Sequence, residues 1–243
     1  PYPPFITSTL QQEGIRKLRM SSQQVMRTAQ KLYEEGYITY MRTDSISLSK
    51  EAVEAARRNI KDLYGSEYVP DKPRAFKSKV KNAQEAHEAI RPAGAKFQDP
   101  KTLKNKLDNV EWKLYDLIWK RTIASQMKSA KLLKTTVEIS DGSAIFDAHG
   151  KVIEFPGFLK VYVEDIDDPS KDKDDQESIL PPMKEGDVLS GKEFNPNQHF
   201  TKPASRFTEA SLIKELEALG IGRPSTYSAI LSNIQIEILY SRI

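Results

Sequence analysis

The sequence contains no cysteine and only three histidines among its 243 residues. It therefore excludes disulfides, cysteine-based zinc sites and thiol nucleophiles, and it gives only a weak indication of a cytosolic compartment. No apolar run approaches the roughly 20 residues that a membrane span requires, so we expect no membrane partner. No signal-like apolar segment follows Pro1, and we interpret the chain as a segment of a longer protein.

Charge is unevenly distributed along the chain. The overall formal charge is +3, but residues 164–177 contain eight acidic residues against two lysines, a local charge of −6, which leaves +9 on the remainder. We interpret the acidic run as a solvated loop and the basic excess as compatible with a polyanionic partner. The length and the 38% hydrophobic content are sufficient for one large domain or two to three small domains with a core.

Hydrophobic periodicity predicts an α+β protein of several domains, beginning with a helical region over 1–127. We predict helices there over 22–35, 50–64 and 109–127, because apolar residues recur at helical spacing. A serine precedes each of the first two helices and a glycine follows it, as is typical of helix caps. The third helix is apolar nearly all round, which indicates that both of its tryptophans are deeply buried.

Residues 128–200 contain short β-type runs that predict a small antiparallel sheet or partial barrel. We predict that FLKVYVE at 158–164 and the segment 187–194 are strands of this sheet. Helical periodicity returns over 201–243 on both sides of two glycines, which is the layout of a helix-turn-helix. Turn signals separate the predicted strands at Asp141-Gly142, His149-Gly150 and Pro156-Gly157.

The segment GYITYMRTDS at 36–45 concentrates tyrosine, arginine, aspartate and hydroxyl side chains. A strand from Tyr37 to Tyr40 followed by a turn would explain it without any chemistry. A phenol is a poor nucleophile unless cations stabilise the phenolate or the attacked group. In a strand Arg42 shares a face with Tyr40, where it could hold a phosphate by two parallel hydrogen bonds. The alternative hypothesis is therefore a tyrosine nucleophile beside a phosphate clamp, with Asp44 orienting the arginine or capping the turn.

A second cluster is QEAHEAIRP at 84–92. On a helix His87 and Arg91 would lie on one face and provide two phosphate donors. A surface helix with local charge pairs, ended by Pro92, would explain the same residues. Metal binding is disfavoured, because one histidine and its neighbouring glutamates supply too few convergent ligands.

The third cluster is GRPSTY at 222–227, at the start of a predicted helix. Unpaired N–H groups and the positive end of the helix dipole favour an anion there, such as a DNA phosphate. A simple helix cap explains the hydroxyls equally well. Upstream, Lys202 and Arg206 are candidate DNA backbone contacts. The predicted anion-binding side chains of the turn are Arg223, Ser225 and Thr226.

In this order, GYITYMRTDS, QEAHEAIRP, HFTKPASRFTEASLIKELE and GIGRPSTY resemble motifs of bacterial DNA topoisomerase I, a family of type IA topoisomerases. PFITSTLQQE and LYDLIWKRTIASQM are similar to the same family. The likeness extends from about Pro4 to Gln235, after which IEILYSRI departs from the basic-Gly-Tyr pattern of the family.

The resemblance implies a role for each cluster. Tyr40 would attack a phosphodiester of single-stranded DNA and become joined to the 5′ phosphate, while Arg42 contacts the scissile phosphate and His87 assists nearby. A second strand would pass through the gap before resealing, which relaxes negative supercoils without ATP. Three residues would bind the strand upstream of the cut: Arg223, Ser225 and Thr226. The further DNA contacts that we predict are Arg91, Lys202 and Arg206.

The resemblance also implies a domain organisation. Residues 1–127 would form the mobile domain with the tyrosine, 128–200 the arch that hinges it, and 201–243 the start of the cleft domain. No segment matches the acidic metal site of the family's TOPRIM domain. We therefore expect no cofactor in this chain, Mg²⁺ bound through that domain in the full enzyme, and no cleavage by these residues alone.

The expected partners are single-stranded or negatively supercoiled DNA and the remaining domains of the parent enzyme, which would be a cytoplasmic monomer at the nucleoid. Two other hypotheses stay open. The chain could be a helical DNA-binding module in which Tyr40 stacks on a base. It could also be a structural hinge that makes no DNA contact of its own.

Overall fold

The fold of the described residues is mixed α/β. A computed structural model describes residues 1–76, 88–163, 180–181, 183–201 and 203–240, with side chains to Glu237. In these ranges it contains seven α-helices and one two-stranded antiparallel sheet. The chain divides into two compact units: unit 1 is Pro1–Ala130, Pro156–Asp167 and Phe207–Ile243, and unit 2 is Lys131–Phe155 and Asp168–Arg206. The predicted three-domain division stays a prediction.

Unit 1 contains all seven helices, and the three that periodicity predicted in its N-terminal part are confirmed. None of the helices in the described part of the chain is long and apolar enough to cross a membrane. Their bounds are α1 Thr7–Leu18, α2 Ser22–Glu34, α3 Lys50–Tyr64, α4 Pro100–Leu103, α5 Asn109–Ser125, α6 Glu209–Ala218 and α7 Tyr227–Tyr240.

The helices begin where polar side chains satisfy their first N–H groups. Ser21 accepts a hydrogen bond from the Gln24 N–H before α2, at 3.2 Å, and Ser49 accepts one from Ala52 before α3, also at 3.2 Å. Each such cap stabilises a helix by about 1 kcal/mol. As the sequence predicted, a glycine follows each helix; Gly36 and Gly65 have positive φ values of +76° and +103°, which favour glycine.

The core of unit 1 is centred on α5, which packs against α1, α2 and α3. Trp119 is buried as predicted, whereas the prediction for Trp112 is wrong. Trp112 is only half-buried, and its Nε1–H donates to the Pro100 carbonyl at 2.8 Å. Arg121 is buried among aromatic rings, and its Nε donates to the Pro3 carbonyl at 2.6 Å.

Unit 2 contains a β-hairpin of β1 (Lys131–Ser140) and β2 (Ile145–Phe155). The turn between them follows the sequence prediction, since Asp141 Oδ1 accepts from the Ala144 N–H at 2.7 Å. The predicted turn at His149-Gly150 is wrong. Both residues lie within β2 and pair with β1, because a glycine can continue a strand when the ladder on each side of it stays in register.

Two further predicted strands are absent from the described residues. Residues 187–194 form no strand, and FLKVYVE begins with a 3₁₀ helix at Gly157–Lys160 in unit 1. Tyr162 is buried there, and its hydroxyl donates to Glu13 Oε2 at 2.5 Å. Tertiary packing of this tyrosine therefore overrides the β propensity of the run. The predicted sheet or partial barrel is a two-stranded hairpin in the described part of the chain.

Gly157 should tolerate no side chain. Its φ is +50°, and an added Cβ would lie 2.6 Å from the backbone of Lys128 and Ala130. We expect Gly157→Ala to destabilise unit 1 by roughly 3 kcal/mol or more, because overpacking adds to left-handed strain. Gly36, with φ +76° and open space around it, is the matched control, and its alanine variant should lose about 1–2 kcal/mol. Urea unfolding measures both, and equal losses would contradict the packing argument.

Candidate active site

The segment that carries Tyr40 is an isolated bridge and an irregular loop, and the predicted strand over Tyr37–Tyr40 is wrong. Ile38 forms a single antiparallel bridge with Pro92. The Thr39 N–H donates to the Arg91 carbonyl at 2.9 Å. No helix or strand includes residues 40–49, so the main chain here lacks the ladder of hydrogen bonds that a strand would provide.

Exposure nevertheless alternates along this segment. Tyr40 is 39% exposed and Arg42 is exposed, whereas Met41 and Thr43 between and after them are buried. The Tyr40 ring packs edge-to-face on Tyr33 of α2, with centroids 5.2 Å apart. The phenol and the guanidinium are therefore both accessible from solvent, and the shared face that the i, i+2 spacing predicts stays a prediction.

The hydroxyls of the motif satisfy the local backbone. The Ser45 N–H donates to Thr43 Oγ1 at 3.0 Å, and the Ser47 N–H donates to Ser45 Oγ at 3.3 Å. Sequence reasoning treated the clustered hydroxyls only as part of a turn. The signal for their role was the spacing of two between successive hydroxyl residues, which is that of turns in which a side chain accepts from the backbone.

The predicted helix around Arg91 is not present in the described residues 88–92, and His87 lies outside the described residues. Arg91 is buried, with Nη2 2.7 Å from Glu88 Oε2. Its Nη1 donates to the carbonyls of Pro92 and Gly94 at 2.8 and 3.1 Å. A phosphate contact by Arg91 would thus require this internal network to open.

Glu88 links this network to the start of α3. Its Oε1 accepts from the Ser49 N–H at 2.5 Å while Oε2 faces Arg91. Burial opposes ionisation of the carboxyl, but hydrogen bonds from Arg91 and Ser49 together outweigh it and lower the pKa of Glu88 below its usual range. Sequence analysis had treated this glutamate only as a neighbour of the histidine.

The predicted helix pair in unit 1 is confirmed. α6 and α7 enclose a small apolar cluster, and the glycines between them adopt left-handed conformations. The Arg223 N–H donates to Thr226 Oγ1 at 2.8 Å, and Arg223 Nη1 donates to the Gly222 carbonyl at 2.7 Å. The predicted anion-binding residues Arg223, Ser225 and Thr226 are all exposed on the turn that precedes α7.

Polar side chains dock the helix pair on α1 and α2. Ser8 Oγ donates to Glu217 Oε1 at 2.6 Å, and Gln11 Nε2 donates to Ser228 Oγ at 2.9 Å. Burial raises the pKa of Tyr227, and the carboxylates of Glu217 and Asp44 raise it further. The structure therefore brings the loop of Tyr40, through Asp44, within electrostatic range of the first residue of α7.

Two predicted DNA contacts remain, Lys202 and Arg206. Lys202 lies outside the described residues, and Arg206 is exposed in unit 2. Across the ranges that the structure describes, no group of three or more histidine, aspartate or glutamate side chains is arranged to hold a metal ion.

Comparisons with known proteins agree on one family. A family model described as DNA topoisomerase matches residues 1–239. The chain is 55% identical over 239 residues to DNA topoisomerase 1 of Streptomyces coelicolor and 52% identical over 240 residues to that of Mycobacterium leprae, covering 96% and 97% of this chain. It spans about a quarter of the length of these relatives, 25% of each.

The solved structure of full-length topoisomerase I from Thermotoga maritima has a similar fold. It superposes with a TM-score of 0.78 at 37% sequence identity, and the match covers 96% of this chain and 38% of that one. The likeness therefore includes nearly all of the residues discussed above.

The Glu217 contact should make the docking of α6 and α7 depend on pH. Burial raises the pKa of Glu217, only partly offset by the Ser8 hydroxyl, so the folded state binds its proton more tightly than the unfolded chain. Stability from this group is therefore present at low pH and is lost as pH rises from the ordinary glutamate value through the raised one. We expect Glu217→Gln to gain stability relative to the unaltered protein between pH 4.5 and 7, measured by urea unfolding.

Glu215 is the matched control for this prediction, because it is exposed on the same helix. Glu215→Gln should show no comparable pH-dependent difference. A Glu217→Gln advantage that stays constant over this pH range would contradict the buried-carboxylate argument.

Proposed function

The chain belongs to the bacterial type IA DNA topoisomerase family, and we propose that within that family's reaction Tyr40 is the nucleophile that cleaves one DNA strand. The observation that carries the proposal is that Tyr40 and Arg42, two residues apart, are both exposed, while Met41 between them is buried. The parent protein would pass a second strand through the break, reseal it and relax negative supercoils.

The proposed step exchanges one phosphate ester for another. The phenolic oxygen of Tyr40 forms a bond to phosphorus, and the bond between phosphorus and the 3′ oxygen breaks. The phenol loses its proton to a base, and the departing 3′ oxygen gains one. Arg42 would neutralise the charge that develops on the phosphoryl oxygens. Resealing is the reverse reaction. It needs no ATP, because the phosphotyrosine ester retains the energy of the phosphodiester that was broken.

The proton-transfer groups of this step lie, in our proposal, in other domains of the parent enzyme. The described residues provide no acidic cluster near the tyrosine that could hold a metal ion. Magnesium therefore stays an expectation for the TOPRIM domain of the full enzyme. For the same reason we propose that these 243 residues alone do not cleave DNA and bind single-stranded DNA weakly.

DNA contacts are proposed for the exposed predicted residues. The turn before α7 presents a guanidinium and two hydroxyls to solvent, and such a surface suits phosphate oxygens. Arg91 is the least suited of the predicted contacts, since its guanidinium is engaged by Glu88 and two carbonyls. The proposed contacts are Arg42, Arg206, Arg223, Ser225 and Thr226.

A second candidate function is favoured by the aromatic pair. Tyr33 and Tyr40 are 42% and 39% exposed and pack edge-to-face, so a base could stack beside them without any covalent step. In that case the phenol oxygen would be dispensable, because a phenylalanine ring stacks equally well. The two candidates therefore differ in what the hydroxyl does.

Removal of the Tyr40 hydroxyl distinguishes the two. In the full-length protein we expect Tyr40→Phe to abolish formation of a covalent complex with single-stranded DNA while the affinity for that DNA changes by less than about threefold. Denaturing gels detect the complex, and filter binding measures the affinity. Tyr33→Phe is the matched control and should keep cleavage. If the Tyr40→Phe protein still formed a covalent complex with DNA, the assignment of Tyr40 as the nucleophile would be refuted.

The proposed phosphate contacts should appear in the salt dependence of binding. For single-stranded DNA each neutralised phosphate contributes about 0.7 to the slope of log K against log salt concentration. We expect Arg42→Gln and Arg223→Gln each to lower that slope by roughly this amount. Arg58→Gln is the control, because Arg58 is an exposed arginine of α3 outside the proposed contact set. An unchanged slope in either test variant would remove that residue from the contact set.

A further inference from the structure

We propose that Thr7 is a positioning residue for this reaction: its hydroxyl fixes the backbone on both sides of Arg42 and so sets where the guanidinium lies relative to Tyr40. The inference rests on the proposed function, because it assigns a role toward the same tyrosine and arginine. Thr7 is fully buried and acts through the loop, not through contact with DNA.

Four contacts join Thr7 to the loop. Thr7 Oγ1 donates to the Met41 carbonyl at 2.8 Å, lies 3.1 Å from the Thr43 carbonyl, and accepts from the Thr43 N–H at 2.9 Å. The Thr7 N–H donates to the Thr43 carbonyl at 3.0 Å. A hydroxyl has a single proton, so the shorter contact to Met41 is its principal donation. The residues before and after Arg42 are thus both bound to one side chain.

The loop depends on these contacts because it has no regular structure of its own. Residues 40–49 belong to no helix or strand, so their buried main-chain groups need partners from elsewhere. The backbone around Thr7 is itself fixed by packing and hydrogen bonding. It is the first residue of α1, between the fully buried Phe5 and Leu10, and Phe5 accepts from the Ile90 N–H at 2.8 Å.

The residue that precedes the loop, Thr39, is held in the same manner. Thr39 Oγ1 donates to the Ala89 carbonyl at 2.7 Å and accepts from the Arg91 N–H at 3.0 Å. The stretch from Tyr40 to Arg42 is therefore bracketed by two threonine hydroxyls, each bound to backbone from a different part of the chain. Of the two, Thr7 contacts the residues that directly flank the arginine.

Loss of the Thr7 hydroxyl should change the reaction rate more than DNA affinity. Valine has nearly the same shape, but it would leave the Met41 carbonyl and the Thr43 N–H to find other partners, and Arg42 would move with them. A displacement of about 1 Å in a reacting group costs on the order of 100-fold in rate. Phosphate attraction by a guanidinium is less sensitive to position, because it falls slowly with distance.

The experiment uses the full-length protein with Thr7→Val, Thr7→Ser and Thr122→Val. It measures single-turnover cleavage of a single-stranded oligonucleotide at saturating protein, together with the affinity for that oligonucleotide. Thr122 is the matched control, since it is fully buried in α5 and its Oγ1 donates to the Ile118 carbonyl at 2.8 Å. We expect Thr7→Val to cleave about 10- to 100-fold more slowly, with affinity within about threefold, and Thr7→Ser and Thr122→Val to cleave within about threefold of the unaltered rate.

Three results would overturn the inference: cleavage by Thr7→Val at the unaltered rate, a loss that Thr7→Ser does not restore, or an equal loss in Thr122→Val. If Thr7→Val does not fold, Thr7→Ala, whose smaller side chain leaves room for a water, is judged by the same criteria. Tyr40→Phe is measured in parallel. Cleavage that survives in Tyr40→Phe overturns the proposed function, whereas cleavage lost there but unchanged in Thr7→Val overturns only this inference.

Discussion

The loop that carries Tyr40 and Arg42 depends on hydrogen bonds from side-chain hydroxyls to its main chain. A strand or helix would satisfy those main-chain groups with its own hydrogen bonds, but it would also impose a repeating backbone geometry on Tyr40 and Arg42. Here Thr39 provides such bonds before Tyr40, Thr7 binds the main chain on both sides of Arg42, and Thr43 accepts from the Ser45 N–H further along the loop. An irregular segment thereby holds two exposed polar side chains in a defined place, which the proposed reaction on a phosphate would require.

The helix pair α6 and α7 has an apolar core of its own but contacts α1 and α2 largely through polar side chains. Ser8, Gln11 and Ser22 of the facing helices bind Glu217, Ser228 and Glu209 by hydrogen bonds. Water can replace such bonds when surfaces part, so a polar contact costs less to separate than an apolar one of equal area.

Much of unit 1 was predictable because local rules and tertiary packing agree there. Ser21 and Ser49 cap helices that bury one apolar face, and glycines end them, so α2 and α3 follow from spacing and capping alone. The outcome differs where long-range contacts compete with local preference. FLKVYVE has strong β propensity, but the buried contact between Tyr162 and Glu13 joins residues 149 positions apart, which no local pattern contains.

The sequence by itself determined the order of motifs, the longer helices that follow hydrophobic periodicity, and the spacing of two residues between Tyr40 and Arg42. Only the tertiary structure decided which polar residues face solvent and which face the protein. Arg42 and Arg91 are the same residue type in neighbouring motifs, yet one is exposed and the other is buried against Glu88. The physical reason is that buried main-chain groups and charges must find partners, and those partners come from segments distant in the chain.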